Sequence, residues 1–157
     1  MKTVLTPPAL ARDIALLIAR ILLGVVLIAH GLQKFGEWTI GGTVQAFGQM
    51  GVPLPGLAAP VAAVIELVGG VLLLVGAFSA IVGLIVALQM GVAAVIVHVT
   101  AGLFVGDGGW ELVGVIAAAA LAIGFAGAGR FSVDHYLGRG RTATTVAPER
   151  ELEQVNA

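Results

Sequence analysis

Long apolar runs broken by short polar stretches dominate the chain. They cover Ile14 to Leu32, Pro60 to Phe78, Ala80 to about Val99, and Trp110 to Ala128. Each approaches the ~20 residues that a helix needs to cross about 30 Å of hydrocarbon. Few polar residues interrupt them: Arg20, His30, Glu66, Gln89, His98 and Glu111. This pattern predicts an all-α integral membrane protein, a four-helix bundle spanning residues 14–135, after an amino-terminal segment 1–13. The first run is long for the apolar core of a signal peptide and lacks a small-x-small cleavage site, so it reads as a retained span. The Phe78-Ser79 link leaves room only for a tight hairpin, which makes the second and third helices antiparallel neighbours.

The connecting segments differ in character. Gly36 to Ala59 is too polar and too rich in Gly and Pro to span, yet Val44, Phe47 and Met50 recur at helical spacing. Thr43 to Met50 therefore reads as a short interfacial helix, ended by Gly51-Val52-Pro53-Leu54-Pro55-Gly56. The segment is either a plain connector or a cover over a ligand. After residue 135 the apolar pattern stops, and 136–157 reads as a flexible tail.

Orientation follows the basic residues near the ends of the spans. Lys2 and Arg12 precede the first span, and Arg130, Arg139 and Arg141 follow the fourth, whereas the segments 33–59 and 100–109 carry only Lys34. Both termini are expected in the cytoplasm, with Trp38 and Trp110 at the outer interface and the chain in a bacterial cytoplasmic membrane.

Composition narrows the chemistry. Of 157 residues 59% are hydrophobic and 11% charged, and there is no cysteine, so disulfides, thiolate metal sites and iron-sulfur ligation are excluded. Any redox role must borrow its electron carrier. A net charge of −1 offers no field for nucleic acid.

Small residues let helices approach closely in lipid, and they mark Gly83, Ala87, Gly91 and Ala94 on the third span, Ala62, Glu66, Gly69 and Gly70 on the second, and Gly114, Ala117 and Ala118 on the fourth. At about 1.5 Å per residue, Arg20 lies roughly 9 Å above the inner edge, while His30 and His98 lie near the outer edge with Lys34, and Glu66 roughly 9 Å beneath it. One outer polar cluster is expected. Gln89 is nine residues from His98, about half a turn around an ideal helix, and is placed outside that cluster.

A carboxylate at the depth of Glu66 must be paired, protonated or wet. Its candidate partners are His30, Arg20 and Lys34. Two readings stand: interhelical glue that fixes register, or a site. Arg20 can also snorkel to lipid phosphates, and the two histidines lack any haem-attachment motif, so no haem or metal is expected.

The order of motifs resembles the DoxX family. The residues are Arg20-Ile21-Leu22-Leu23-Gly24, His30-Gly31-Leu32-Gln33-Lys34-Phe35-Gly36, Gly51-Val52-Pro53-Leu54-Pro55, and Glu66-Leu67-Val68-Gly69-Gly70 with Gly76. The closing Gly127-Ala128-Gly129-Arg130-Phe131-Ser132-Val133-Asp134 is similar to that family's GxGxxSxD segment. The resemblance implies a small bacterial membrane protein related to the membrane subunit of thiosulfate:quinone oxidoreductase, with Arg20, His30, Lys34 and Glu66 at the family's polar positions.

The resulting expectation is a membrane subunit of a quinone-linked oxidoreductase or oxidative-stress complex. Arg20, His30, Lys34, Glu66 and His98 are the candidate quinone-binding residues, the quinone being non-covalent. A partner subunit or redox enzyme is expected in the bilayer, with a homo-oligomer as a further arrangement. The alternatives are a non-enzymatic scaffold or accessory subunit, and a transporter of a small solute or metal.

Overall fold

A computed structural model describes residues 7–142. The described chain is helical, with α1 at Ala9–Phe35, α2 at Thr39–Gln49, α3 at Pro55–Val75, α4 at Ser79–Ala93, α5 at Glu111–Ala126 and α6 at Val133–Thr142. Beyond α4 the helix widens into a π turn over Ala94–His98 and tightens into a 3-10 turn over Val99–Ala101. Three helical stretches, Ala9–Phe35, Pro55–Val75 and Ser79–Ala101, are long and apolar enough to cross a membrane. At 16 residues α5 is equally apolar but shorter.

Boundaries moved where backbone chemistry overrides hydropathy. The second span begins at Pro55 rather than Pro60, because a proline in the first turn has its φ set for helix and lacks only an N–H that would have had no partner. The interfacial helix α2 starts at Thr39, four residues before the predicted Thr43. The segment expected as a flexible tail from 136 is helical as far as Thr142; residues 143–157 lie outside the described part.

The helices pair as α1 with α3 and α4 with α5, and α3 also meets α4 and α2. Glycine makes the first pairing close. A Cβ on Gly24 would sit 2.8 Å from the Gly70 carbonyl oxygen, and one on Gly31 would sit 2.7 Å from the Leu67 nitrogen. Gly83 does the same for α4, where a Cβ would sit 2.5 Å from the Ala120 oxygen. Two of the small-residue stripes are only partly correct. Gly91 faces open space, Ala118 is exposed, and α5 instead buries Ile116, Ala120 and Ile123. A run of alanines on every side of α5 hides which face packs.

Leu23, Leu27, Leu73, Val86, Met90 and Ile116 form the centre of the core. Leu22, Val25, Leu84, Leu88, Val115 and Phe125 point outward, as expected of surfaces in contact with acyl chains. The hairpin between α3 and α4 turns through left-handed residues Gly76 (φ 71°) and Phe78 (φ 51°). Only glycine fits position 76, since a Cβ there would collide with the Arg20 guanidinium.

Candidate functional site

Lys34, in the last turn of α1, meets Glu66 in the middle of α3 because Gly31 lets the two backbones touch one turn earlier. The Lys34 ammonium donates to Glu66 Oε2 at 2.6 Å, and both side chains are over nine-tenths buried. Of the three candidate partners for Glu66, Lys34 is the one in contact. The other carboxylate oxygen accepts a bond from Gln89 Nε2 at 3.0 Å. Lys34 is further held by the Trp38 ring, whose centroid lies 5.9 Å from Nζ. Thr43 ties α2 to the same corner: its hydroxyl donates to the Thr39 carbonyl at 2.9 Å and lies 3.4 Å from that of Lys34.

Gln89 is a correction to the sequence reading, which excluded it from the cluster. The amide reaches the Glu66 carboxylate directly, and the half-turn count to His98 assumed ideal helix from 89 to 98, whereas the π turn at Ala94–His98 turns less per residue.

These groups border a cavity of about 630 Å³. Its walls are almost wholly apolar, with Leu27, Ile65, Met90 and Ile116 among them, and Phe47 and Met50 of α2 line it as well. Lys34, Glu66, Gln89, His30, His98 and the Trp38 indole N–H supply its side-chain polarity. His30 Nδ1 lies 2.8 Å from the Val26 carbonyl, one turn back in α1, and His98 Nδ1 lies 2.6 Å from that of Gly108. Four of the five candidate residues therefore share one cavity.

Arg20 is the exception. It is fully buried at the opposite end of the bundle, where Nη2 donates to the Phe131 carbonyl at 2.6 Å, and it is not among the residues lining the cavity. Around it, Asp134 accepts from the backbone nitrogens of Phe78 (2.7 Å) and Ser79 (2.9 Å), capping α4. Buried Asp13 accepts from the Arg130 nitrogen at 3.3 Å, and Ser132 donates to the Gly129 carbonyl at 2.5 Å. The outer cluster of the sequence reading is thus accompanied by a second, around Arg20. Depth arithmetic had set Arg20 apart, but nothing in hydropathy showed that the segment after α5 folds back onto it; Ser132 and Asp134 of the closing motif were the available signal. Among the described residues no three His, Asp or Glu side chains converge as a metal site would require.

Residues 15–99, which carry Lys34, Glu66, Gln89, His30 and His98, match the DoxX family. The chain belongs to the DoxX family. A related protein of Bacillus subtilis (strain 168), named "Putative oxidoreductase CatD", is 42% identical over 57 residues, which is 36% of this chain and 40% of that protein. The chain therefore matches less than half the length of that relative. No solved structure matches it. With the apolar helices, membership makes this a multi-pass membrane protein of the DoxX type.

Proposed function

We propose that this DoxX protein is the membrane subunit of a quinone-linked oxidoreductase or redox complex in the bacterial cytoplasmic membrane, with α5 as a fourth crossing and both termini cytoplasmic. The observation that carries the reading is the Lys34–Glu66–Gln89 cluster set in the wall of an otherwise apolar cavity. The oxidoreductase name of the Bacillus relative supports the same class of chemistry.

The donor set fits a quinone. An ammonium has three protons, and Lys34 gives one to Glu66, leaving charge-assisted donors for a headgroup oxygen. The apolar walls, Phe47 and Met50 of α2 among them, suit an isoprenoid tail. A bound quinone supplies a couple that exchanges two electrons and two protons. Lys34 orients the headgroup, while Glu66 holds Lys34 in place and, 2.6 Å away, is near enough to exchange a proton with it. Electrons come from a partner subunit or soluble redox enzyme.

Extraction of gently purified protein followed by mass spectrometry should return quinone, and saturating short-chain quinone at about 100 times its Kd should stabilise the protein by roughly 2.7 kcal/mol in lipid nanodiscs. Failure of both favours the scaffold reading, in which the Lys34–Glu66 pair only ties α1 to α3. Orientation is tested in the cysteine-free chain: a cysteine at Val52 should react with impermeant maleimide in intact cells, and one at Thr144 only after lysis.

A further inference from the structure

We infer that the cavity recognises a hydroxyl donor, and so holds the hydroquinone form of its headgroup in preference to the quinone. The inference rests on the quinone reading above and adds the redox form that the site selects. A backbone carbonyl can only accept, so the contacts of His30 Nδ1 with Val26 (2.8 Å) and of His98 Nδ1 with Gly108 (2.6 Å) place a proton on Nδ1 of each ring. In an imidazole with its proton on Nδ1, Nε2 is the acceptor. Neither Nε2 has a hydrogen-bond partner among the described residues, and both rings line the cavity.

The sequence marked both histidines as candidate quinone-binding residues, and the fold presents them as acceptors. A quinone carbonyl can accept from Lys34, from the second Gln89 amide proton or from the Trp38 indole N–H, but it leaves both imidazole acceptors unpaired. A hydroquinone hydroxyl accepts from Lys34 and at the same time donates to an imidazole Nε2. Sites whose polar groups are matched to a hydroxyl reject the analogue lacking it, because those groups are left unpaired.

The test compares three ligands on wild-type protein in nanodiscs under anaerobic conditions: a decyl-tailed benzoquinone, its hydroquinone, and the dimethyl ether of that hydroquinone. The hydroquinone should bind at least about tenfold more tightly than the other two, raising the midpoint potential of the bound couple by about 30 mV per tenfold. His30→Phe and His98→Phe, which keep an aromatic ring and remove the acceptor, should weaken hydroquinone binding and leave quinone binding unchanged. Equal or tighter binding of the quinone or the ether overturns the inference while leaving the quinone reading intact. Absence of binding by all three overturns both.

Discussion

The two ends of the bundle bury similar numbers of charged groups and use them in opposite ways. At the end holding Arg20, the hydrogen-bond partners are backbone: the Phe131 carbonyl for Arg20, the Phe78 and Ser79 nitrogens for Asp134, the Arg130 nitrogen for Asp13, with the exposed Arg130 guanidinium adding a looser side-chain contact to Asp13 at 3.8 Å. These bonds sew the segment after α5 to the hairpin before α4 and to the start of α1. At the other end the partners are side chains, Lys34 with Glu66 and Glu66 with Gln89, and they border a cavity of about 630 Å³. A group bonded to backbone cannot change partners without unfolding a turn, but a side-chain pair in a cavity wall can. The same cost of placing charge in an apolar interior serves architecture at one end and leaves exchangeable polarity at the other.

The sharpest way to break this comparison is a pair of double-mutant cycles. Lys34→Met strands a buried carboxylate and should cost about 3–5 kcal/mol in thermal denaturation in nanodiscs, while Lys34→Met with Glu66→Leu should recover most of the loss. Arg20→Met should cost about 3 kcal/mol, from an unsatisfied buried carbonyl and poorer packing. Here no second substitution restores stability, because the partner is the Phe131 backbone; Arg20→Met with Asp134→Asn should be at least as unstable as Arg20→Met. Recovery in the second cycle would mean that Arg20 is held by Asp134 rather than by the chain itself.

Asp134→Ala is the next step down. It removes acceptors from two helix-starting nitrogens and should cost about 1–2 kcal/mol, the range of an N-cap, with Asp134→Asn milder. Equal losses for the two would point to charge rather than hydrogen bonding as the source.

Apolar periodicity made the fold class and most of the helices legible, since a stretch apolar on all sides has few other uses. Lys34, Glu66 and the histidines were legible as polar residues misplaced in such stretches. What was hidden depended on backbone geometry or on contacts distant in sequence. Gln89 was excluded by an ideal-helix count that the π turn invalidates. Phe131 meets Arg20 through a carbonyl, which no side-chain pattern records. Asp134 caps a helix that begins 55 residues earlier, and its only trace was a place in a closing motif.

Gln89→Leu should have the smallest effect of all, and it probes whether the cavity end is as unsaturated as its geometry indicates. The substitution removes a bond to the Glu66 carboxylate, worth about 1.5–3 kcal/mol as a hydrogen bond to a charged group. It also removes the unpartnered Oε1, whose burial costs about 1–3 kcal/mol, and puts apolar volume against an apolar wall. The terms nearly cancel, so the change in stability should stay under about 1 kcal/mol in either direction. Thermal denaturation of the variant beside Lys34→Met gives the measurement on one scale. A loss above about 2 kcal/mol would mean that the carbonyl is satisfied in the membrane, by water or by a bound headgroup that survives purification. Extracting the wild-type protein before the measurement distinguishes those sources: if removing bound lipid and quinone makes Gln89→Leu neutral, the carbonyl's partner was the ligand.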